Sequence, residues 1–146
     1  MRRTRILGTL VSVVCLLTPC FAHHMAVVAD KDNKVQNVTS AQLVKILKGE
    51  VKKWPDGRNV VLVLHAASTA EVSTLSHLTK MSEAEVKSAI VNKESVRRVA
   101  SDAEVIDAVA SSPGALGLVE ERSLNDRVNV IKVDGKLPME AGYLPH

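Results

Sequence analysis

Short runs that contain β-branched residues recur along the chain and alternate with segments of helical periodicity. The runs are MAVVA (25–29), VVLVL (60–64), RRVA (97–100), ALGLV (115–119) and VNVIKV (128–133). Runs of this length and composition predict strands. Strands that alternate with helices are typical of parallel sheets built by right-handed crossovers. The pattern therefore predicts an α/β fold, with a mostly parallel sheet flanked by helices.

The predicted helices have well-marked starts and ends. Four residue pairs fit the capping box, in which a hydroxyl and an acid or amide three residues later satisfy each other's backbone donors. These pairs are Thr39 and Gln42, Ser68 and Glu71, Ser82 and Glu85, and Ser101 and Glu104. Gly49 and the SSPG segment (111–114) end two of the helices. Trp54, in the turn KKWPDGRN (52–59), is expected to close that turn over the core.

The first 22 residues are typical of a secretory signal peptide. Three arginines precede an uncharged stretch from Ile6 to Phe21, and cleavage is expected after Ala22. The apolar stretch is shorter than the about 20 residues that a bilayer core requires. We therefore expect a signal peptide at 1–22, one folded domain at 23–146, a periplasmic or secreted location, and no membrane span in the mature protein.

Removing this leader changes the chemistry of the chain. Three of its 19 basic residues leave, so that 16 remain beside 16 acidic ones. Cys15 and Cys20 leave as well, which excludes cysteine chemistry and disulfides from the mature protein. Trp54 and Tyr143 remain as its aromatic residues. Because a nucleic-acid surface needs positive charge and stacking platforms, we do not expect a nucleic-acid partner.

The segment HAASTAEV (65–72) follows the second predicted strand and opens a helix. Free N–H groups and the dipole at a helix start favour anions, so His65, Ser68 and Thr69 are candidate ligands of a small anion. An ordinary helix cap at Ser68 explains the same pattern, and we favour it. As the box partner, Glu71 would stand about 5 Å from a bound anion, a like-charge contact that costs about 3 kcal/mol at an effective dielectric near 20.

Two longer segments resemble a known family. They are VTSAQLVKILKGEVKKWPDGRNVVLVLHAAS and SDAEVIDAVASSPGALGLVEE. Their signals follow the order found in the second lobe of periplasmic phosphate-binding proteins of ABC transporters. In that family a Leu-rich helix ends in Gly, a Trp follows, and a strand then delivers a Ser-Gly-Thr phosphate loop. The resemblance implies a single lobe of the type II periplasmic binding protein fold, with Ser68 and Thr69 at the phosphate-holding positions.

The chain departs from the family pattern at its binding loop. The glycine between the two hydroxyl residues is absent, His65 lies near the position of an arginine, and Leu118 stands where the later turn has a tyrosine. A complete binding protein of this type has two lobes, and this chain has length for one. These departures imply that any anion binding is weak.

The resemblance also implies where a ligand would lie. Ligands of open α/β sheets bind beyond the carboxyl ends of the strands. We expect that edge to carry Ala29–Asp32, His65–Thr69 and Ser101. Ser101 is itself expected to be a helix cap. Arg97 and Arg98 precede it and are candidates for the missing cation, although a solvated charge pair at the sheet edge is the favoured interpretation.

No catalytic residue, metal site or cofactor is expected. The sequence lacks a Ser, His and acid arrangement with nucleophile-elbow spacing, and the glycine cluster PGALG lacks the phosphate-loop pattern. A terminal amine followed by His23 and His24 could chelate Cu(II) or Zn(II), but a polar chain terminus is the favoured interpretation. We therefore do not expect an enzyme.

Two hypotheses of function remain. In the first, the protein is a secreted or periplasmic solute-binding protein that binds phosphate or a similar small oxyanion weakly through His65, Ser68 and Thr69. A second chain or a transporter component would complete the cleft. In the second, it is a protein-interaction module that retains the fold and binds no ligand. The chemistry of the loop favours the second hypothesis, and the family resemblance favours the first.

Overall fold

Seven strands are seen in the computed structural model, which describes residues 24–145. They are β1 (Met25–Ala29), β2 (Asn37–Val38), β3 (Val61–His65), β4 (Arg97–Val99), β5 (Ala115–Glu120), β6 (Asn129–Val130) and β7 (Lys132–Val133). Five of them form the central sheet in the order β4-β3-β5-β1-β6, while β2 and β7 form a separate parallel pair. The predicted signal peptide and His23 lie outside the described residues.

The sheet is mostly parallel, as predicted, with one reversed strand. β3 pairs in parallel with both β4 and β5, whereas β1 pairs antiparallel with β5 and β6. The carboxyl end of β1 therefore lies at the opposite edge from the carboxyl ends of β3 and β4. The prediction that Ala29–Asp32 shares an edge with His65–Thr69 and Ser101 is wrong, because an apolar run indicates a strand and not its direction.

Helices cover both faces of the sheet. They are α1 (Ser40–Leu47), α2 (Thr69–Thr79), α3 (Glu83–Val86) and α4 (Asp102–Ser111). A π-helical turn (Lys87–Val91) continues α3, and a 3₁₀ turn (Glu121–Ser123) follows β5. All four predicted N-caps accept a hydrogen bond from the backbone three residues on. The complete box forms only at Thr39 and at Ser82.

Alternating side chains of β3 build two apolar layers. Leu62 and Leu64 belong to the larger layer, which includes buried residues of α1 and α2. Val63 points the other way and packs with Val105 and Val109 of α4. This two-residue period is what a strand covered on both faces produces. The same alternation determines the face of the sheet on which the His65 side chain lies at the carboxyl end of β3.

The last predicted strand is divided in two. β6 continues the central sheet, Ile131 interrupts it, and β7 pairs with β2. Between residues 24 and 145, no helix is long and apolar enough to cross a bilayer.

Candidate anion-binding site

The end of β3 and the start of α2 bring the three predicted ligand residues into one turn. The Ser68 N–H donates to the His65 carbonyl oxygen at 3.0 Å and closes the turn. His65 and Ser68 are half-buried, and Thr69 is exposed. All three residues therefore lie at the carboxyl edge of the sheet, where the sequence analysis expected them.

Ser68 is the N-cap of α2, as predicted. Its Oγ accepts a hydrogen bond from the Glu71 N–H at 3.1 Å, and its carbonyl oxygen accepts from the Val72 N–H at 3.1 Å. Helix starts leave several N–H groups without an intrahelical acceptor. Across residues 24–145, the N–H groups of Thr69 and Ala70 have no hydrogen-bond acceptor in the protein. They remain as donors at the helix start.

Glu71 does not lie where the sequence placed it. Its side chain folds back beneath the loop, is 1% exposed, and accepts the His65 N–H at Oε2 over 3.2 Å. Oε1 has no hydrogen-bond partner among the described residues. The expected capping box with Ser68 is therefore wrong, because the backbone of His65 offers the buried carboxyl a donor in the core.

Burial also changes the charge of Glu71. Loss of hydration raises the pKa of its carboxyl group well above the ordinary value, opposed by the hydrogen bond from His65 and reinforced by the negative charge of Asp102. Burial therefore shifts the balance toward the neutral form relative to an exposed glutamate. This shift weakens the like-charge repulsion expected at this position.

The His65 side chain has a partner that sequence reasoning missed. Its Nδ1 lies 3.2 Å from Oδ1 of Asp102, the first residue of α4. Oδ2 of Asp102 accepts the Glu120 N–H and the Ser123 hydroxyl, each at 2.9 Å. The sequence analysis did not identify Asp102 as a partner of His65. Its contact with His65 depends on the parallel pairing of β3 and β4, which sequence spacing does not reveal.

The two candidate arginines have other positions. Arg98 donates to the carbonyl oxygens of Val91 at 3.2 Å and Lys93 at 3.3 Å, and so stabilises the end of the π-helical turn. Arg97 is exposed and pairs in register with Val63, two residues before His65 on β3. Both arginines are therefore exposed on the edge strand, as expected, and Arg98 also donates to backbone groups.

A second charged cluster occupies the opposite edge of the sheet. Asp30 is 5% exposed and accepts from the Gly114 N–H at 2.9 Å and from Arg58 at 3.2 Å. This cluster ties the end of β1 to the start of β5. Within residues 24–145, no group of three or more His, Cys, Asp or Glu side chains could hold a metal ion. The terminal amine and His23, which were considered as metal ligands and not favoured, lie outside that range.

The chain is similar to a known protein family and to several solved structures. A sequence model of the PBP superfamily domain matches residues 18–138. No curated protein matches the chain. Among solved structures, an ABC-type phosphate transport receptor from Vibrio cholerae is 21% identical with a TM-score of 0.67, and it matches 79% of this chain and 48% of its own.

Two further solved structures give the same result. A putative phosphate ABC transporter substrate-binding protein from Clostridium perfringens, with bound phosphate, is 18% identical with a TM-score of 0.68, over 79% of this chain and 46% of its own. PstS from Borrelia burgdorferi is 19% identical with a TM-score of 0.65, over 79% and 49%. At these identities the likeness establishes the fold. The chain spans about half the length of each of these proteins.

Proposed function

This chain belongs to the PBP superfamily, and on that premise we propose that it binds phosphate or a similar small oxyanion. The described residues form one α/β lobe, and the similar solved structures are named for phosphate transport. Proteins of this kind act outside the cytoplasm, so the proposal includes the predicted leader at 1–22 and a periplasmic or secreted location. It assigns the chain a binding role and no catalytic one.

The observation that carries the proposal is the start of α2. Ser68, Thr69 and the free N–H groups of Thr69 and Ala70 converge at the carboxyl edge of β3, beside the His65 imidazole. A helix start with unused donors stabilises negative charge by about 1 kcal/mol through its dipole and adds direct hydrogen bonds. The raised pKa of buried Glu71 weakens the main electrostatic objection to an anion at this position.

Affinity is expected to be low. Thr69 follows Ser68 directly, so a β-carbon stands where a glycine would let an anion approach the backbone. Asp102 adds a carboxylate at the same edge. One lobe supplies one wall of a cleft, and we expect a second chain or a transporter component to supply the other.

Thermal melting with and without millimolar phosphate or sulfate tests the proposal. An anion at one hundred times its dissociation constant should raise the free energy of unfolding by about 2.7 kcal/mol. The double variant Ser68→Ala, Thr69→Ala should lose that increase. Ser82→Ala is the matched control, because Ser82 also accepts the N–H of the third helical residue, at 3.2 Å, but caps α3. It should lose cap stability and keep the response to anions.

A ligand-free interaction module is the alternative function. The specific observation that favours it is Asp102, whose carboxylate stands beside the imidazole that would replace the family's arginine. If neither anion raises the melting temperature, the binding proposal fails and this alternative is retained. If anions still stabilise the Ser68→Ala, Thr69→Ala variant, the anion site does not lie at the start of α2.

A further inference from the structure

Two apolar grooves adjoin on the surface near the amino end of β3. One, of about 480 Å³, lies between β2, α1 and the turn that holds Trp54. The other, of about 470 Å³, lies between the end of α1, the start of β3 and the segment before β4. Ile46 and Val51 line both, so the two form one continuous surface, which we call the α1 groove. Its floor is formed by Val38, Ile46, Val51, Trp54, Val60 and Leu62.

The rim of the α1 groove is basic. Among the described residues that line it, the charged ones are Lys52, Lys53 and Lys93, and none is acidic. Lys52 and Lys53 are exposed. The Lys93 Nζ donates to the Lys48 carbonyl oxygen at 2.6 Å, which holds its ammonium group beside the end of α1. An ammonium group has three N–H donors, so Lys93 can still bind a carboxylate.

This combination of an apolar floor and a basic rim defines the chemistry of an occupant. We propose that the α1 groove binds a segment of a partner protein in which apolar side chains are flanked by carboxylates. The apolar side chains cover the floor, and the carboxylates face Lys52, Lys53 and Lys93. Complementary charge of this kind selects the partner and speeds its association.

The α1 groove is separate from the proposed anion site. The groove adjoins the amino end of β3 through Val60 and Leu62, whereas His65–Thr69 follow its carboxyl end. Glu50 and Glu94 are exposed and adjacent in sequence to lining residues, but neither lines the groove. The inference therefore does not depend on phosphate binding.

A membrane surface fits the α1 groove less well than a peptide does. Binding at a bilayer surface requires an apolar face that enters the boundary between headgroups and acyl chains. The apolar side chains of the groove are recessed, since Val38, Ile46, Trp54 and Leu62 are each at most 8% exposed. A recessed floor accepts the protruding side chains of a peptide and cannot itself insert into lipid.

Fluorescence anisotropy of short labelled peptides, titrated with the full chain, tests the proposal. The probe has a leucine core flanked by glutamates. Its two counterparts have the same core flanked by lysines, and a serine core flanked by glutamates. We expect the leucine–glutamate peptide to bind at least about tenfold more tightly than either counterpart and to lose affinity as salt is added. Because the chain has one tryptophan, the indole N–H resonance of Trp54 should shift on binding and report occupancy of the groove.

Substitutions locate the bound peptide. Lys52→Glu together with Lys53→Glu should weaken binding of the leucine–glutamate peptide about tenfold and strengthen binding of the leucine–lysine peptide. Lys31→Glu together with Lys87→Glu is the matched control and should bind as the wild type, because both lysines are exposed and neither lines the groove. Val51→Asp places a negative charge at the centre of the floor and should abolish binding. Circular dichroism checks that this variant folds, and the lysine variants, which change exposed side chains, decide the result if it does not.

Four outcomes would overturn the proposal. They are no anisotropy change with the leucine–glutamate peptide, equal affinity for all three peptides, unchanged affinity in the Lys52→Glu, Lys53→Glu variant, and a shared loss in the control variant. Sedimentation that shows a dimer dissociated by Lys52→Glu, Lys53→Glu would assign the groove to a second copy of the chain, and binding to phosphatidylglycerol vesicles in preference to the peptide would assign it to a membrane. Each of these also overturns the proposal. The response to phosphate and sulfate is measured separately, so failure here leaves the proposed anion site in place.

Discussion

Trp54 donates its indole Nε1–H to the carbonyl oxygen of Gly114 at 2.9 Å. The same oxygen accepts the Val61 N–H at 3.1 Å, and the Gly114 N–H donates to buried Asp30 at 2.9 Å. Gly114 therefore joins the turn before β3, the end of β1 and the start of β5. Trp54 itself is 4% exposed and closes the turn over the core, as its sequence position predicted.

Replacing Gly114 by alanine is expected to destabilise the protein strongly. Gly114 has φ +81°, and an added β-carbon would lie 2.1 Å from the carbonyl oxygen of Asn59. Left-handed backbone costs a non-glycine residue about 1–2 kcal/mol, and the overlap with backbone adds about 1–3 kcal/mol. Urea unfolding followed by Trp54 fluorescence measures the loss, since the chain has one tryptophan.

Gly57→Ala is the control for this substitution. Gly57 has φ +88°, but a β-carbon there would meet no atom within 4 Å. This variant should show only the conformational cost of about 1–2 kcal/mol. Equal losses in the two variants would show that the contact with Asn59 relaxes at no cost.

Gly117 is expected to be required for the close approach of α4 to the sheet. A β-carbon at Gly117 would lie 2.6 Å from Val105 Cγ1 and 3.1 Å from Val109 Cγ2. Gly117→Ala should therefore cost about 1–3 kcal/mol through overpacking. Adding Val105→Ala should recover part of that loss, giving a favourable coupling of at least about 0.5 kcal/mol in a double-mutant cycle. Strictly additive losses would contradict the proposed contact.

The elements of the fold were predictable because their signals are local. Short runs with β-branched residues marked β1, β3, β4 and β5 to within about one residue, and hydroxyl residues marked the four N-caps. The direction of β1 was not predictable, because the residues that set it belong to β5, 87 to 95 positions away. The division at Ile131 depends likewise on a distant partner, since its N–H donates to Val27 at 2.9 Å.

The candidate site was predictable in position and not in electrostatics. His65, Ser68 and Thr69 lie where the segment pattern and the family resemblance put them. Whether Glu71 points to solvent or to the core depends on a donor, the His65 N–H, that only the folded turn presents. The Asp102 partner of His65 arrives from a different helix. The spacing of residues along the chain reveals neither the orientation of Glu71 nor the contact between Asp102 and His65.

The buried carboxyl of Glu71 should make stability fall as the pH rises. Its pKa is raised in the folded protein, so above about pH 4.5 the unfolded chain releases a proton that the folded protein retains. The free energy of unfolding then decreases with pH until the folded pKa is reached. Glu71→Gln lacks this term and should gain stability relative to the wild type as the pH is raised from about 4.5 to 7.

Glu85→Gln should show a pH dependence of stability with the opposite sign. Like Glu71, Glu85 is the third residue of its helix. Hydrogen bonds from the Ser82 backbone N–H and hydroxyl lower the pKa of Glu85, so its contribution is present above the unfolded pKa and is lost as the pH falls. This variant should lose stability relative to the wild type near neutral pH and converge with it in acid. Chemical unfolding across the range measures both variants. Parallel pH profiles for the wild type and Glu71→Gln would show that the buried carboxyl does not resist ionisation.

Tyr143 should stabilise the fold at neutral pH and make it sensitive to alkali. Its hydroxyl accepts the Val27 N–H at 3.0 Å and donates to the Ile131 carbonyl oxygen at 2.7 Å, bridging the gap where β6 ends. Tyr143→Phe leaves a buried N–H without its acceptor and should cost about 1–3 kcal/mol. Urea unfolding at neutral pH measures this loss. An unchanged stability would show that the hydroxyl bridge is replaceable.

Burial also raises the pKa of Tyr143 to about 12. From about pH 10 the unfolded chain releases the phenolic proton while the folded protein retains it, so the advantage of the wild type over Tyr143→Phe should shrink by up to about 3 kcal/mol as the pH approaches 12. Because Tyr143 is the one tyrosine of the chain, phenolate absorbance follows its ionisation directly. Ionisation near pH 10 in the folded protein would contradict the buried bridge, because a hydroxyl that donates to a backbone carbonyl inside the core cannot lose its proton without leaving that acceptor unpaired.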